Sequence, residues 1–141
     1  MTSMTLRLDI VSAEKQIFSG EVEMVHATGE LGEMGIAPGH SPLLTSLQPG
    51  HIYVMLPNKE EEVFYVSGGM LEVQPFIVSV LADTAARAKD LDEAKAFAAK
   101  EHAQKVLSEK GVDIDFAKAA IELAEAAAQI RAIQRLKKRA K

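Results

Sequence analysis

The chain contains no cysteine, and this absence excludes several kinds of chemistry. With no Cys among 141 residues, disulfide bonds, thiolate catalysis and cysteine-type zinc sites are all ruled out. No apolar run approaches the roughly 18 residues that cross a bilayer, and the N-terminus lacks the core of a signal peptide. We therefore expect a soluble, cytoplasmic protein without direct membrane insertion, which meets a membrane only through a partner.

Positive charge is also scarce overall, but it is unevenly distributed. The net charge of −4 gives no indication of a nucleic-acid partner. Residues 1–88 carry four Lys/Arg against eleven Asp/Glu, whereas residues 89–141 carry twelve against nine. All five prolines lie in the first part, and fourteen alanines follow residue 89. This shift predicts two domains, at residues 1–86 and 87–141.

The first domain has the pattern of short strands. Leu6, Leu8 and Ile10 alternate with polar residues, which is the period of a half-buried strand. Later runs rich in β-branched and aromatic residues are separated by Pro-Gly, Pro-Asn and Gly-Gly pairs, typical of turns; they lie at 51–56, 62–68, 69–75 and 76–82. The spacing predicts an antiparallel β-sandwich or flattened barrel. We expect Glu60, Glu61 and Glu62 to form a solvated edge that opposes strand pairing.

The second domain has the pattern of two helices. Asp90 followed by Glu93 resembles a capping box, and the helix should run to about Glu109. Lys110-Gly111 then provides a C-terminal stop, and Asp113 can cap a second helix. Together these signals predict a two-helix antiparallel hairpin, so the fold class is α+β with the two kinds of element segregated.

An apolar seam of mostly small side chains runs along the second helix. It spaces its residues alternately by three and four positions: Phe116, Ala119, Leu123, Ala126, Ile130 and Ile133. Because alanine buries little surface, such a hairpin is only marginally stable alone. We infer a hairpin that can dock in more than one place; the alternative is a permanently docked structural hairpin.

The final sixteen residues are basic and contain no acid. Their six cations are Arg131, Arg135, Lys137, Lys138, Arg139 and Lys141. One or two cations suit the C-terminal end of a helix dipole, but six indicate an electrostatic contact with an acidic surface.

The stretch GEMGIAPGHSPLLT (32–45) is dense in glycine and proline, but it lacks the marks of a chemical site. No lysine occurs between Lys15 and Lys59, so a phosphate-binding loop is disfavoured. The four histidines are scattered without metal-ligand spacing. Ser67 lacks both a nucleophile elbow and an evident base. We therefore expect no catalytic residue and no metal site.

A tight turn explains the same stretch better. Pro38-Gly39 suits the central positions of a type II turn, and Gly32 with Gly35 would let the backbone fold closely. This would place Met34 at an accessible apex, as in a docking loop. The alternative is that Met34 and Ile36 simply pack into the sandwich.

These residues resemble the Gly-Glu-Leu-Gly-Ile-x-Pro-Gly-His-x-Pro-Leu signature of the epsilon subunit of bacterial F-type ATP synthases. The similarity extends through most of the chain: LDIVSAEKQIFSGEVE (8–23), YVSGGMLEVQP (65–75) and VLADTAARAKDLDEA (80–94). The resemblance implies a ten-stranded β-sandwich followed by a helical hairpin. It also implies a non-catalytic rotor subunit on the cytoplasmic face of the bacterial inner membrane, held there through the synthase complex.

The resemblance further implies partners and contact residues. The sandwich would bind the gamma subunit and sit on the ring of c subunits, and the hairpin would extend to the alpha and beta subunits and block ATP hydrolysis. The implied c-ring contacts are Gly32, Glu33, Met34, Gly35, Ile36 and His40. The implied inhibitory contacts are Arg131, Arg135, Lys137 and Lys138, whose charge suits acidic segments of the catalytic head.

Some members of the family bind ATP on the hairpin through an Ile/Leu-Asp-x-x-Arg-Ala motif. Here the matching residues are Leu91, Asp92, Lys95 and Ala96. Lysine replaces the arginine and lacks its bidentate fork, while Glu125 and Gln129 stand where the family has arginines. We therefore expect no cofactor and at most weak ATP binding. A module that closes over a nucleotide is the competing hypothesis; a free-standing enzyme has no candidate catalytic group.

Overall fold

The computed structural model describes residues 4–29, 31–109 and 116–139, and it has a strand-rich part followed by two helices. Its strands are β1 (Leu6–Ser12), β2 (Gln16–Val22), β3 (Met24–Gly29), β4 (Gly32–Ile36), β5 (Leu43–Leu47), β6 (Gly50–Met55), β7 (Glu61–Val66), β8 (Gly69–Val73), β9 (Ile77–Ala82) and β10 (Ala85–Arg87). A 3-10 turn (Ala88–Asp90) leads to helices α1 (Glu93–Ser108) and α2 (Phe116–Arg139). The predicted fold class is confirmed.

The strands form one sheet that curls into a nearly closed, flattened barrel. Their order is β10-β7-β6-β3-β5-β8-β9-β1-β2, with β4 paired to β3. The two ends of this path meet where Arg87 Nη2 donates a hydrogen bond to the carbonyl of Ile17, at 3.2 Å. One pair departs from the predicted antiparallel arrangement, because β1 and β9 run parallel. Two strands so distant in the chain need no tight turn between them, so either direction is open.

The core lies inside this barrel and is built by the period-two alternation. Leu6, Leu8 and Ile10 all point inward from β1 and are buried. They meet the inward side chains of the opposite wall, such as Ile52 and Phe64. Each of these large side chains contributes about 1.5–3 kcal/mol by leaving water. The main core cluster draws all its members from the strands.

The expected solvated edge at Glu60–Glu62 is wrong for two of its three residues. Strand β7 lies between β6 and β10 and so is not an edge strand. Glu61 is almost fully buried and Glu62 is partly buried against Arg87. Only Glu60 is exposed, in the β6–β7 turn. These carboxylates are bound by arginines from distant segments, which a local charge pattern cannot reveal.

The first helix begins two residues later than predicted. Asp92, not Asp90, is the N-cap: its Oδ1 accepts a hydrogen bond from the backbone N–H of Lys95 at 3.1 Å. Asp90 instead ends the 3-10 turn. Both aspartates can cap, and the turn after β10 decides between them. The predicted stop at Lys110-Gly111 and the cap at Asp113 lie outside the described residues.

The two helices form an antiparallel hairpin that packs on the sandwich. The start of α1 meets the end of α2, since Ala96 packs against Ile130 and Ile133 and Lys137 pairs with Glu93. The predicted seam is confirmed at most positions; Phe116 is exposed. A second buried face was not predicted: Ala128 and Ala132 pack on the sandwich.

Candidate functional site

The type II turn predicted at Pro38-Gly39 is confirmed. Gly39 has φ of +89°, and the backbone N–H of His40 donates to the carbonyl of Ala37 at 3.2 Å. The N–H of Gly39 also donates to the carbonyl of Pro75 at 2.6 Å, which ties the turn to the β8–β9 connection. His40 is half-buried, and its Nδ1 lies 2.7 Å from the carbonyl of Ser41. This histidine therefore supports the local backbone.

The prediction that Met34 forms the accessible apex of this segment is wrong. Residues 32–36 form β4 and pair with β3, so Ile36 is fully buried and Met34 packs half-buried against the core. The alternative, in which both side chains pack into the sandwich, is correct. Leu31, at the tip of the β3–β4 hairpin, is the exposed apolar side chain, with a relative exposure of 100%. Glu33 is exposed beside it. In the sequence, Leu31 stands between an acidic residue and a glycine, and this pattern could have indicated an exposed leucine at the tip.

The structure also has an exposed apolar face that the sequence pattern alone does not reveal. It lies on the outer side of β5, β8 and β9, where cross-strand pairing places Ser46, Met70 and Leu81 in one row. We define the apolar face as five of the exposed large side chains of these strands and of the turn before β9: Leu44, Met70, Phe76, Ile77 and Leu81. Several exposed large apolar side chains on one face of a sheet are typical of an interaction surface.

On the other wall of the barrel, α2 packs on the outer side of β6 and β7. We call this contact the docking interface. Ala128 and Ala132 meet Val63 and Tyr65, with Ala88 alongside. Small side chains on α2 let the helix approach the sheet closely, so the aromatic residues of the sheet fill the contact. The docking interface therefore combines a small apolar centre with polar groups around it.

Arg135 is the main polar contact of the docking interface. Its Nε and Nη2 donate to the two carboxylate oxygens of Glu61 at 3.0 and 2.6 Å. The Glu61 side chain is only 4% exposed, so this bidentate pair satisfies a buried charge. The guanidinium carbon also lies 3.9 Å from the ring centroid of Tyr53, within the range of a cation–π contact. Hydrogen bonding to Glu61 raises the pKa of Arg135 above its usual value.

The other predicted inhibitory residues are arranged differently. Lys137 pairs with Glu93 of α1 at 2.5 Å, on the hairpin itself. Arg131 and Lys138 are exposed to solvent. The four cations therefore do not converge on one site; Arg135 alone among them binds the sandwich through an ion pair within the described residues.

An aromatic stack lies beside the docking interface. The rings of His26 and Tyr53 are parallel, with centroids 4.4 Å apart, and the His51 ring lies 5.7 Å from Tyr53. These rings line a cavity of about 240 Å³ that also includes Glu33 and Thr28. Burial lowers the pKa of His51 below its ordinary value, and the nearby cation Arg131 lowers it further.

The residues of the expected weak ATP site have structural roles in the hairpin. Asp92 caps α1, Ala96 is buried against α2, and Leu91 is half-buried between the hairpin and the sandwich. Lys95 is exposed. Gln129, at one of the two positions where the family has arginine, hydrogen bonds to Tyr65, and this bond lowers the pKa of Tyr65 against the larger raising effect of burial.

Over 4–29, 31–109 and 116–139, no three His, Asp or Glu side chains are grouped so that they could hold a metal ion. In the same part of the chain, neither helix is both long and apolar enough to span a bilayer.

Comparison with known proteins gives matches over both domains. Residues 5–88 match the model of the ATP synthase delta/epsilon chain β-sandwich domain, and residues 89–134 match that of the long α-helix domain. ATP synthase epsilon chains from the Corby and Paris strains of Legionella pneumophila are each 60% identical to this chain over 139 residues. Each alignment covers 99% of this chain and 99% of the relative.

Two solved structures share the fold at lower identity. A chain of the Euglena gracilis mitochondrial ATP synthase structure, titled as OSCP, F1 and c-ring, superposes with a TM-score of 0.82 at 21% identity. That alignment covers 92% of this chain and 81% of the other. A chain of the Tetrahymena thermophila structure, titled central stalk and c-ring, gives a TM-score of 0.58 at 12% identity, covering 96% and 98%.

Proposed function

The chain belongs to the ATP synthase delta/epsilon chain family, and on this premise we propose that it acts as a central-stalk subunit of a proton-translocating F-type ATP synthase. The observation that carries the proposal is the 60% identity to epsilon chains over 99% of both sequences. The epsilon chain is a non-catalytic subunit, so the predictions of the family and of a non-enzymatic role are confirmed. The chain's task is to couple c-ring rotation to the catalytic head and to restrain ATP hydrolysis.

The apolar face is our candidate for the gamma contact. Its leucine, isoleucine, methionine and phenylalanine side chains lie on the wall of the barrel away from the docking interface. A permanent rotor contact requires a surface that can stay covered, and exposed apolar residues are best suited to this. Their shared exposure on the outer side of β5, β8 and β9 supports the assignment.

The tip of the β3–β4 hairpin is our candidate for the c-ring contact. Leu31 projects fully into solvent and Glu33 is exposed next to it, so the tip offers one apolar and one acidic contact. Gly32, Gly35 and the turn at His40 set the backbone path of this segment, whereas Met34 and Ile36 anchor it to the core. The contact surface proposed from the resemblance therefore shifts by a few residues toward Leu31.

The hairpin is our candidate for the inhibitory element that reaches the alpha and beta subunits. Its docking interface uses small alanines and one buried ion pair, an arrangement that suits a reversible switch. Arg131 and Lys138 are exposed, so their side chains could pair with an acidic surface. Arg135 would have to leave Glu61 before it could contribute to a contact with the catalytic head.

This assignment puts the chain at the cytoplasmic face of the bacterial inner membrane. It would be held there by gamma and the c-ring, with no part of its own in the bilayer. The exposed carboxylate of Glu33 supports a contact with polar loops of the ring.

Charge reversal at the tip tests the c-ring contact. Glu33→Lys should lower ATP-driven proton pumping relative to ATP hydrolysis in the reconstituted synthase, because the acidic partner of the ring is replaced by a cation. The measurement is the ratio of pumping to hydrolysis in vesicles. Glu14→Lys, an exposed site in the β1–β2 turn, is the matched control and should leave the ratio unchanged. An equal ratio for both variants would argue against the ring contact.

A further inference from the structure

His51 occupies an unusual position at the edge of the docking interface. It lies on the outer side of β6 and is paired across the sheet with Tyr65, which packs beneath α2. Its Nδ1 is buried and has no hydrogen-bond partner among the described residues. A neutral imidazole protonated at Nε2 tolerates this position with one unused lone pair. A protonated ring would instead bury an N–H donor without an acceptor, which costs more.

The charges around His51 come from three elements. Helix α2 brings Arg131 and Arg135, strand β4 brings Glu33, and strand β7 brings Glu61. The carboxylate of Glu61 is engaged in the bidentate pair with Arg135, so it offers little to a new cation. From β3, His26 stacks on the same Tyr53 ring. When the hairpin is docked, two guanidinium groups therefore oppose a positive charge on His51.

We propose that His51 is a proton-sensitive element of the docking interface, so that the hairpin stays docked while this imidazole is neutral and is released when it takes up a proton. The proposal describes the regulation of the hairpin movement assigned above, and its physiological meaning rests on that proposed function. Undocking removes the charges of Arg131 and Arg135 from the vicinity of the imidazole. The protonated ring is thus free of this repulsion only in the undocked state.

The direction of the pH dependence follows from the lowered pKa. Burial is the larger cause and Arg131 the next, and both act against the charged form. In the undocked hairpin the pKa of His51 should return toward its ordinary value of about 6.5. The docked state therefore binds fewer protons, and its stability is complete above about pH 6.5 and falls as the solution becomes more acidic.

Glu125 is a second titrating group on α2, and its effect has the opposite sign. Burial, together with the charges of Glu122 and Asp83, raises the pKa of Glu125 above 4.5. Its carboxyl group is therefore easier to protonate when the hairpin is docked, so acidification through its range favours docking. Release on acidification between about pH 7.5 and 5.5 cannot come from this residue.

Fluorescence energy transfer in the isolated full-length chain tests the proposal. Because the chain has no native cysteine, Ala13→Cys on the β1–β2 turn and Gln134→Cys on α2 provide two unique dye positions, both exposed. We expect the ratio of docked to undocked molecules to fall about twofold or more from pH 7.5 to 5.5. His51→Phe keeps a ring without a charge and should give a flat response; His51→Gln serves if that variant does not fold. His102→Gln, on the exposed side of α1, should respond like the parent chain.

Two results would overturn the proposal: a parent ratio that does not change with pH, or an unchanged pH response in both His51 variants. Neither result bears on the proposed function, because no synthase is present in the experiment. Conversely, loss of inhibition on removal of α2 is measured in the assembled complex and does not depend on His51. The two failures are therefore distinguishable.

Discussion

At the scale of single residues, two different constraints act on the chain. Local ones can be read from neighbours: Pro38-Gly39 forms the type II turn because proline restricts φ and glycine accepts a positive φ. Non-local ones cannot. Glu61 is buried because Arg135, 74 positions away, binds both its oxygens. A sequence window around Glu61 shows three adjacent acids and indicates a solvated edge, which is wrong for Glu61 and Glu62.

Gly69 is the residue whose replacement should be most costly among the positive-φ glycines. Its φ is +140°, and an added Cβ would lie 2.1 Å from the carbonyl oxygen of Leu81. Gly69→Ala combines backbone strain with a clash against β9, and we expect a loss of about 2–4 kcal/mol in unfolding free energy, measured by urea denaturation.

Gly32→Ala is the control for that variant. Gly32 has φ of +124°, but no atom lies within 4 Å of an added Cβ. Strain alone should cost about 1 kcal/mol. Equal losses for the two variants would show that the close approach of Gly69 to β9 does not contribute.

At the scale of elements, periodicity predicted what each element buries against its nearest partner. The alternation in β1 and the three-four seam in α2 are local patterns; the first is confirmed, and the second is confirmed at most positions but not at Phe116. The second buried face of α2 was missed because Ala128 and Ala132 are too small to mark it. The apolar face and the parallel β1–β9 pair were missed for another reason: each depends on how distant strands are ordered.

Ala132 tests whether that second face holds the hairpin in place. It is fully buried against the sandwich side of the docking interface. Ala132→Glu should undock α2, because it places a charge in an apolar contact. We expect amide hydrogen exchange in α2 to accelerate about tenfold or more, while the strands keep their protection.

Ala124→Glu is its matched control, since Ala124 is exposed on the same helix and has the same helix propensity effect. Exchange in α2 should stay close to that of the parent. If Ala132→Glu also left α2 protected, the alanine face would not be what holds the hairpin on the sandwich.

At the scale of the whole molecule, the two parts differ in how they are stabilised. The main core cluster lies entirely within the strands, so the sandwich has a complete interior of its own. The hairpin depends on smaller clusters and on the Arg135–Glu61 pair. The composition shift after residue 88 predicted this division. The roles of the two parts, a rotor domain and an inhibitory hairpin, were predicted by the family resemblance and not by the composition.

We propose above that a stable rotor domain carries a releasable inhibitor of ATP hydrolysis. The hydrolysis rate of the reconstituted synthase tests this most directly. Full-length chain and a chain lacking residues 113–141 are compared at equal assembly, checked by the amount of chain retained on the complex. We expect a severalfold higher rate with the shortened chain, because the proposed contact of α2 with the catalytic head is then lost. An unchanged rate with intact assembly would contradict it.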